Sequence, residues 1–176
     1  MAGAQRAYDE LGVEFDYVEP TAIAEYEGFQ RDFAMSGDYI LIICIAFDQA
    51  DALTVVASEY PDQNFALVDM VVDNANVASL TFRANEGSFL TGVVAGLTTT
   101  TGKVGFVGGM DIPLIRRFGC GYVQGVKAAK ADATVFQNMT GDTGAAWNDP
   151  VKGGEITKGQ MAQGADVVYA AAGATG

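Results

Sequence analysis

The sequence predicts an α/β protein of two doubly wound parallel-sheet lobes, and it predicts an incomplete pair. Three observations lead there. Short continuous apolar runs, such as residues 39–46 (YILIICIA), have strand length and suit strands covered on both faces. They alternate with segments of helical apolar spacing at intervals of roughly 25 residues, which implies right-handed βαβ units and a parallel sheet. A β-rich segment ends near residue 82, a helix with one apolar stripe follows, and the same rhythm then resumes. The chain is accordingly read as an N-terminal lobe, 1–82, and a C-terminal lobe, 83–176, with a junction near 82–85.

Residues 4–11 read as the tail of a helix stopped by Gly12, and residues 13–18 as a short strand. Tyr26, Phe29 and Phe33 fall on one helical face, so residues 22–35 form an amphipathic helix ended by Ser36-Gly37. After the apolar strand 39–46, Leu53, Val56, Ala57 and Tyr60 mark the next helix, stopped by Pro61. Residues 65–69 and 77–82 are two further strands. Beyond the junction, Leu90, Val94 and Leu97 form the apolar stripe of a helix closed by Gly102, with threonines 98–101 as its frayed end. Residues 103–107 are a strand. Ile115, Phe118, Tyr122, Val126 and Ala129 keep to one face of the helix after Pro113, and Gly121 and Gly125 let that helix approach its sheet closely. Residues 134–138 are a strand, 151–163 a helix and 166–171 a last strand. Asp149-Pro150 starts that helix, the carboxylate capping and the proline taking the first helical position.

A doubly wound sheet carries its first strand in the middle. This chain opens in a helix with no strand before it and ends in the loop Gly173-Ala174-Thr175-Gly176. On this reading the N-terminal lobe lacks its first strand and the C-terminal lobe its last ones. A complete small α/β protein is the alternative.

About half of the 176 residues are apolar, enough for sizeable cores. A formal charge of −12 with ten scattered basic residues argues against nucleic-acid binding, which needs clustered Lys and Arg. The sequence has no histidine, the commonest general base and metal ligand, and no nucleophile stands beside a base. No catalytic role, metal or cofactor is therefore expected. Cys44 and Cys120 lie far apart and read as two small buried hydrophobes. The apolar run 39–46 is far too short to cross a bilayer. Gly105, Gly108 and Gly109 do not make a dinucleotide fingerprint, which disfavours a Rossmann enzyme.

Ligands of open parallel sheets sit beyond the carboxyl ends of the strands. That rule selects Phe47 and Asp48 after one strand, Asp69 after the next, Gly108 to Asp111 after a third, the loop to Trp147, and Gly173. Trp147, the one tryptophan, stands in a Gly/Asp/Asn-rich loop just before the Asp149 cap. It either lies flat against a heteroaromatic ring or anchors its loop in the core. Asp69 is either a hydrogen-bond acceptor for a ligand or a solvated turn former. Asp48 is a ligand contact or the cap of the helix starting near Gln49, and Asp111 with Arg116 and Arg117 is a surface ion pair.

The run SLTFRANEGSFLTG at 79–92, followed by GKVGFVGGMDIP at 102–113, resembles the lobe junction of the basic membrane protein family. That family comprises extracytoplasmic lipoproteins that bind purine nucleosides for ABC importers on a type I periplasmic-binding-protein fold. The resemblance implies a hinge near 82–85, a nucleoside gripped between the lobes, ABC permease subunits as partners, and a place outside the cell membrane. Any membrane attachment would run through an N-terminal lipid anchor absent from this chain. It also implies that Asp69 accepts hydrogen bonds from the base and that the Gly173 backbone approaches the sugar. The family usually has phenylalanine in the segment matched by 147–153, where Trp147 keeps a stacking face but is larger. A ligand-sensing domain of a transcriptional regulator with the same two-lobed fold is the alternative.

Overall fold

The computed structural model of the chain describes residues 2–176. They form two compact units, one ending at Phe82 and one running from Arg83 to Gly176. No helix among the described residues is long and apolar enough to cross a membrane.

In the N-terminal unit, helix α1 (Ala2–Leu11) buries none of its side chains. The strand expected at 13–18 does not form. A strand exists only in a ladder, and strand β1 (Ile42–Ile45) pairs on one side alone, with β2 (Phe65–Val68). Asp16 is held instead by the Tyr39 hydroxyl, 2.8 Å away. The helix expected at 22–35 arrives as a 3-10 turn (Ile23–Glu25) leading into α2 (Tyr26–Ser36). The Glu25 carboxylate shapes that turn by accepting from Thr21 N at 2.7 Å and Ala22 N at 3.2 Å.

Helix α3 (Ala50–Glu59) connects β1 to β2, and β3 (Val77–Leu80) completes a parallel sheet of order β1-β2-β3. Ile42 stands opposite Phe65, and Phe65 opposite Val77. The link from β2 to β3 has no helix. The Asn76 side-chain amide ties it down by reaching the carbonyls of Ala57, Tyr60 and Gln63. Helices α2 and α3 cover one sheet face, where Ile42, Cys44, Phe65 and Leu67 pack against Leu53, Val56 and Ala57. Alternate residues point the other way, and there Ile43 and Ile45 remain 58% and 60% exposed.

The C-terminal unit is wound on both faces. Strand β4 (Lys103–Met110) is central, with β5 (Thr134–Gly141) on one side and β6 (Val167–Ala171) on the other, all parallel. Helices α4 (Ala84–Thr98) and α5 (Pro113–Ala129) cover the face where Phe106 meets Tyr122 and Tyr169. Helix α6 (Pro150–Ala162) covers the other. There the buried Gln160 lies against Gly105 and donates to the Phe106 carbonyl at 3.0 Å. Asp149 caps α6 as expected, its Oδ1 accepting from Lys152 N at 2.9 Å.

Helix α4 presents the opposite face from the one its apolar pattern suggests. Leu90, Val94 and Leu97 are 65%, 62% and 73% exposed, while Ser88, Gly92, Ala95 and Gly96 are buried. The reason is close approach. Gly121 and Gly125 of α5 face the α4 backbone, where a Cβ at Gly125 would collide with the Phe89 carbonyl. These glycines therefore serve a helix–helix crossing, not the helix–sheet contact expected of them. Backbones this close need small residues on both sides, which overrides the pull of the larger side chains. The buried Ser88 hydroxyl adds a hydrogen bond to the Phe118 carbonyl at 2.6 Å.

Two further expectations change. Cys44 is buried, and burial pushes its thiol up to about 11, but Cys120 lies on the exposed side of α5. The threonines after α4 are not frayed. They wrap the Asp166 carboxylate, which accepts from the hydroxyls of Thr99 and Thr100 and from the backbone N–H groups of Thr100 (2.7 Å) and Thr101 (3.0 Å). These bonds hold the start of β6 to the α4–β4 turn.

The crossing should be intolerant of volume. Gly125→Ala should destabilise the intact protein by about 3 kcal/mol, through overpacking against backbone that cannot yield. Gly154→Ala in α6, where a Cβ meets nothing within 4 Å, should be neutral or stabilising by up to about 1 kcal/mol. Urea titrations followed by circular dichroism compare the two.

The Thr99 and Thr100 hydroxyls hold Asp166 well below the usual carboxylate range. A depressed carboxylate adds stability above its unfolded value, near pH 4, and loses it as pH falls through the folded value. Asp166→Asn should therefore unfold at lower urea than wild type at pH 7, and the gap should shrink steadily below about pH 4.

Candidate ligand site at the strand carboxyl ends

Parallel pairing sends the carboxyl ends of β4, β5 and β6 out of the C-terminal unit together. Met110 stands opposite Gly141, and Gly108 opposite Ala171. Both β4 and β5 run three residues past their expected ends, so Gly108 and Gly109 belong to the sheet and are not a turn. Gly109 is where the indole of Trp147 comes down. A Cβ there would lie 2.6 Å from Cε3 and 3.0 Å from Cη2 of the ring. Glycine in a strand marks such close approaches, and Gly109 is the signal in the sequence for this contact.

Trp147 ends a short 3-10 turn (Gly144–Trp147) and is half-buried against the core beneath it. Gly173, at φ 58°, lies beside the same edge of the ring, its Cα so near that a Cβ would sit 3.5 Å from the indole Cε3. Two of the expected residues, Trp147 and Gly173, are thus brought into contact. The loop is anchored beneath the ring. The buried hydroxyls of Thr140 and Thr175 both donate to the Ala146 carbonyl, at 3.0 and 2.8 Å, and Thr175 also accepts from Asp149 N at 2.8 Å. Sequence reasoning missed both threonines, because nothing in their local pattern announces a tertiary hydrogen bond.

Phe47, Asp48 and Asp69 belong to the N-terminal unit, at the carboxyl ends of the paired strands β1 and β2, where Ile45 stands opposite Val68. Phe47 and Asp48 open a 3-10 turn (Phe47–Gln49). Asp48 does not cap the following helix. Its Oδ2 accepts from the Tyr26 hydroxyl at 2.9 Å, and its buried Oδ1 has no hydrogen-bond partner. Burial and the Asp48 carboxylate together raise the Tyr26 hydroxyl's pKa. Asp69 has φ 72°, with its N–H donating to the Leu80 carbonyl at 2.9 Å, so the chain leaves β2 by a left-handed step. Ala46 leaves β1 at φ 90° and ψ 153°, a conformation almost confined to glycine.

Asp111 pairs with Arg116 in a two-pronged contact, at 2.7 and 2.9 Å, on the surface, and Arg117 takes no part in it. A cavity of about 470 Å³ in the N-terminal unit runs between α2, residues 16–20 and the unpaired edge of β1. Phe47, Asp48 and Asp69 do not line it. Among the described residues no cluster of three or more acidic or cysteine side chains could hold a metal ion.

The family described as Bmp, ABC transporter substrate-binding protein PnrA-like, matches residues 1–176. A CD4+ T-cell-stimulating antigen of Listeria monocytogenes is 39% identical over 163 residues, covering 92% of this chain and 44% of that protein. The ABC transporter nucleoside-binding protein BmpA of Lactococcus lactis is 37% identical over 166 residues, covering 94% and 46%. The chain thus spans about half the length of the curated relatives it matches. A crystal structure of an ABC transporter solute-binding protein from Aeropyrum pernix superposes with a TM-score of 0.83 at 35% identity, covering 98% of this chain and 50% of that one.

The strained step at Ala46 is open to test. Ala46→Gly should raise the stability of the intact protein by about 1 kcal/mol in urea unfolding, the relief of strain exceeding the added chain entropy. Ala46→Val should lower it.

Proposed function

The chain belongs to the Bmp family of PnrA-like ABC transporter substrate-binding proteins, and on that premise we propose that the intact protein is an extracytoplasmic nucleoside receptor. It takes a purine nucleoside between its two lobes, closes by a hinge at residues 82–85, and delivers the ligand to the permease of an ABC importer. The observation that carries this reading is the indole of Trp147, lying across Gly109 beside Gly173 at the carboxyl ends of three parallel strands.

The chemistry is that of flat-ring recognition. An indole whose inner part is fixed by the core offers an aromatic surface that loses little entropy when a base stacks on it. Asp69 accepts from the ring's N–H groups, and the backbone at Gly173 approaches the sugar closely. Phe47 and Asp48 flank Asp69 on the neighbouring strand end and contribute shape and one carboxylate. The nucleoside-binding BmpA relative supports the ligand class.

Calorimetric titration of the intact protein with adenosine, guanosine, inosine, riboflavin and simple sugars tests the reading. The purine nucleosides should bind and the sugars should not. Trp147→Ala should weaken nucleoside binding by about tenfold or more, since base–aromatic stacking contributes about 1–3 kcal/mol. Unchanged affinity in that variant removes Trp147 from the site, and binding of sugars alone overturns the ligand class.

A further inference from the structure

We propose that Thr140 and Thr175 are positioning residues that fix the plane of the Trp147 indole and, through it, the affinity of the site. The affinity part rests on the reading of Trp147 as a ligand-stacking face; the orientation part does not.

The two hydroxyls meet at one atom. Thr140, near the end of β5, and Thr175, in the 3-10 turn after β6 (Gly173–Thr175), are only 1% and 4% exposed. Both donate to the Ala146 carbonyl, the last backbone acceptor before Trp147. A carbonyl has two lone pairs, and here both are used. The Thr140 hydroxyl also lies 3.2 Å from the Gly108 carbonyl, so its single proton is shared between the loop and β4. Thr175 does more. By donating to the carbonyl of residue 146 and accepting from the N–H of residue 149, it bridges the backbone on both sides of Trp147.

The indole itself rests on Gly109 of β4. Three strand ends therefore set one ring: β4 supplies the floor, β5 one tie and the turn after β6 the other. Helix α6 is drawn into the same arrangement, because the bridged N–H belongs to its capping residue Asp149 and Gly153 packs directly on the Thr175 backbone. Without the ties the turn keeps its own backbone bonds, from Ala146 N to the Thr143 carbonyl and from Asn148 N to the Ala145 carbonyl, but the Ala146 carbonyl loses both of its donors. The tilt of the ring over Gly109 is then less tightly set, and part of a ligand's binding free energy goes into fixing it.

Valine matches threonine in shape but has no hydroxyl, so Thr→Val removes the tie while filling the same space. The intact protein is labelled with 5-fluorotryptophan, and the Trp147 resonance is assigned by its loss in Trp147→Phe. Thr175→Val should shift or broaden that ¹⁹F resonance and weaken adenosine binding by about tenfold, the scale of one buried hydrogen bond. Thr175→Ser should restore both. Thr140→Val should move the resonance in the same sense, so the test survives if either variant folds poorly. An unmoved resonance in both valine variants overturns the proposal, whatever the affinity does. A moved resonance with nucleoside affinity unchanged, in these variants and in Trp147→Ala, supports the ties and overturns the binding role of Trp147 instead.

Discussion

Parallel pairing on both sides of β4 is the constraint from which the candidate site of the C-terminal unit follows. Because β5 and β6 run with β4, the residues following all three strands emerge at one end of the sheet. Gly109, Thr140 and Gly173 are far apart in sequence and adjacent for this reason alone. An antiparallel β5 would carry Thr140 to the opposite end and leave the Trp147 loop without its tie. The glycine-lined crossing of α4 and α5 secures the arrangement from above, since it seats both helices on the face where Phe106, Tyr122 and Tyr169 interlock. Burial pushes the Tyr122 hydroxyl up to about 12, as expected of a ring enclosed at such a junction.

Three of the six strands are left in the same way. Ala46 after β1, Asp69 after β2 and Gly173 after β6 all take positive φ, at 90°, 72° and 58°. Such a step turns the main chain sharply and re-aims the residues just beyond a strand, even where, as at Asp69, the N–H still bonds to the neighbouring strand. Glycine accepts this freely and aspartate tolerates it, whereas alanine at φ 90° is held there by its surroundings. Backbone strain of this kind collects where a chain must present groups to something else.

The sequence made the order and type of nearly every element legible, because buried parallel strands are written as continuous apolar runs and helices as one-sided stripes. Its errors have identifiable causes. The strand at 13–18 has the right composition, but residues 16–18 lie across a cavity from the unpaired edge of β1 and do not pair with it, and pairing is not a local property. Leu90, Val94 and Leu97 point away from α5 because helix packing was decided by Gly92, Gly96, Gly121 and Gly125, whose lack of side chain carries no hydrophobic signal. Thr99 to Thr101 looked like a fraying end because their partner, Asp166, lies more than sixty residues later. The strand-end rule picked out Trp147 and Gly173, which the fold brings side by side. It did not pick out Thr140 and Thr175, since a hydroxyl buried by tertiary contact looks like any other threonine.

Strand β4 separates two kinds of chemistry. At its amino end the Asp166 carboxylate and the three threonines lock β6 to the turn before Lys103; at its carboxyl end Gly109 supports the indole. Six residues of extended chain place these poles about 20 Å apart, beyond the range over which substitutions ordinarily influence one another. Descendants of such a scaffold can therefore exchange the groups at one pole while the fastening at the other is inherited intact.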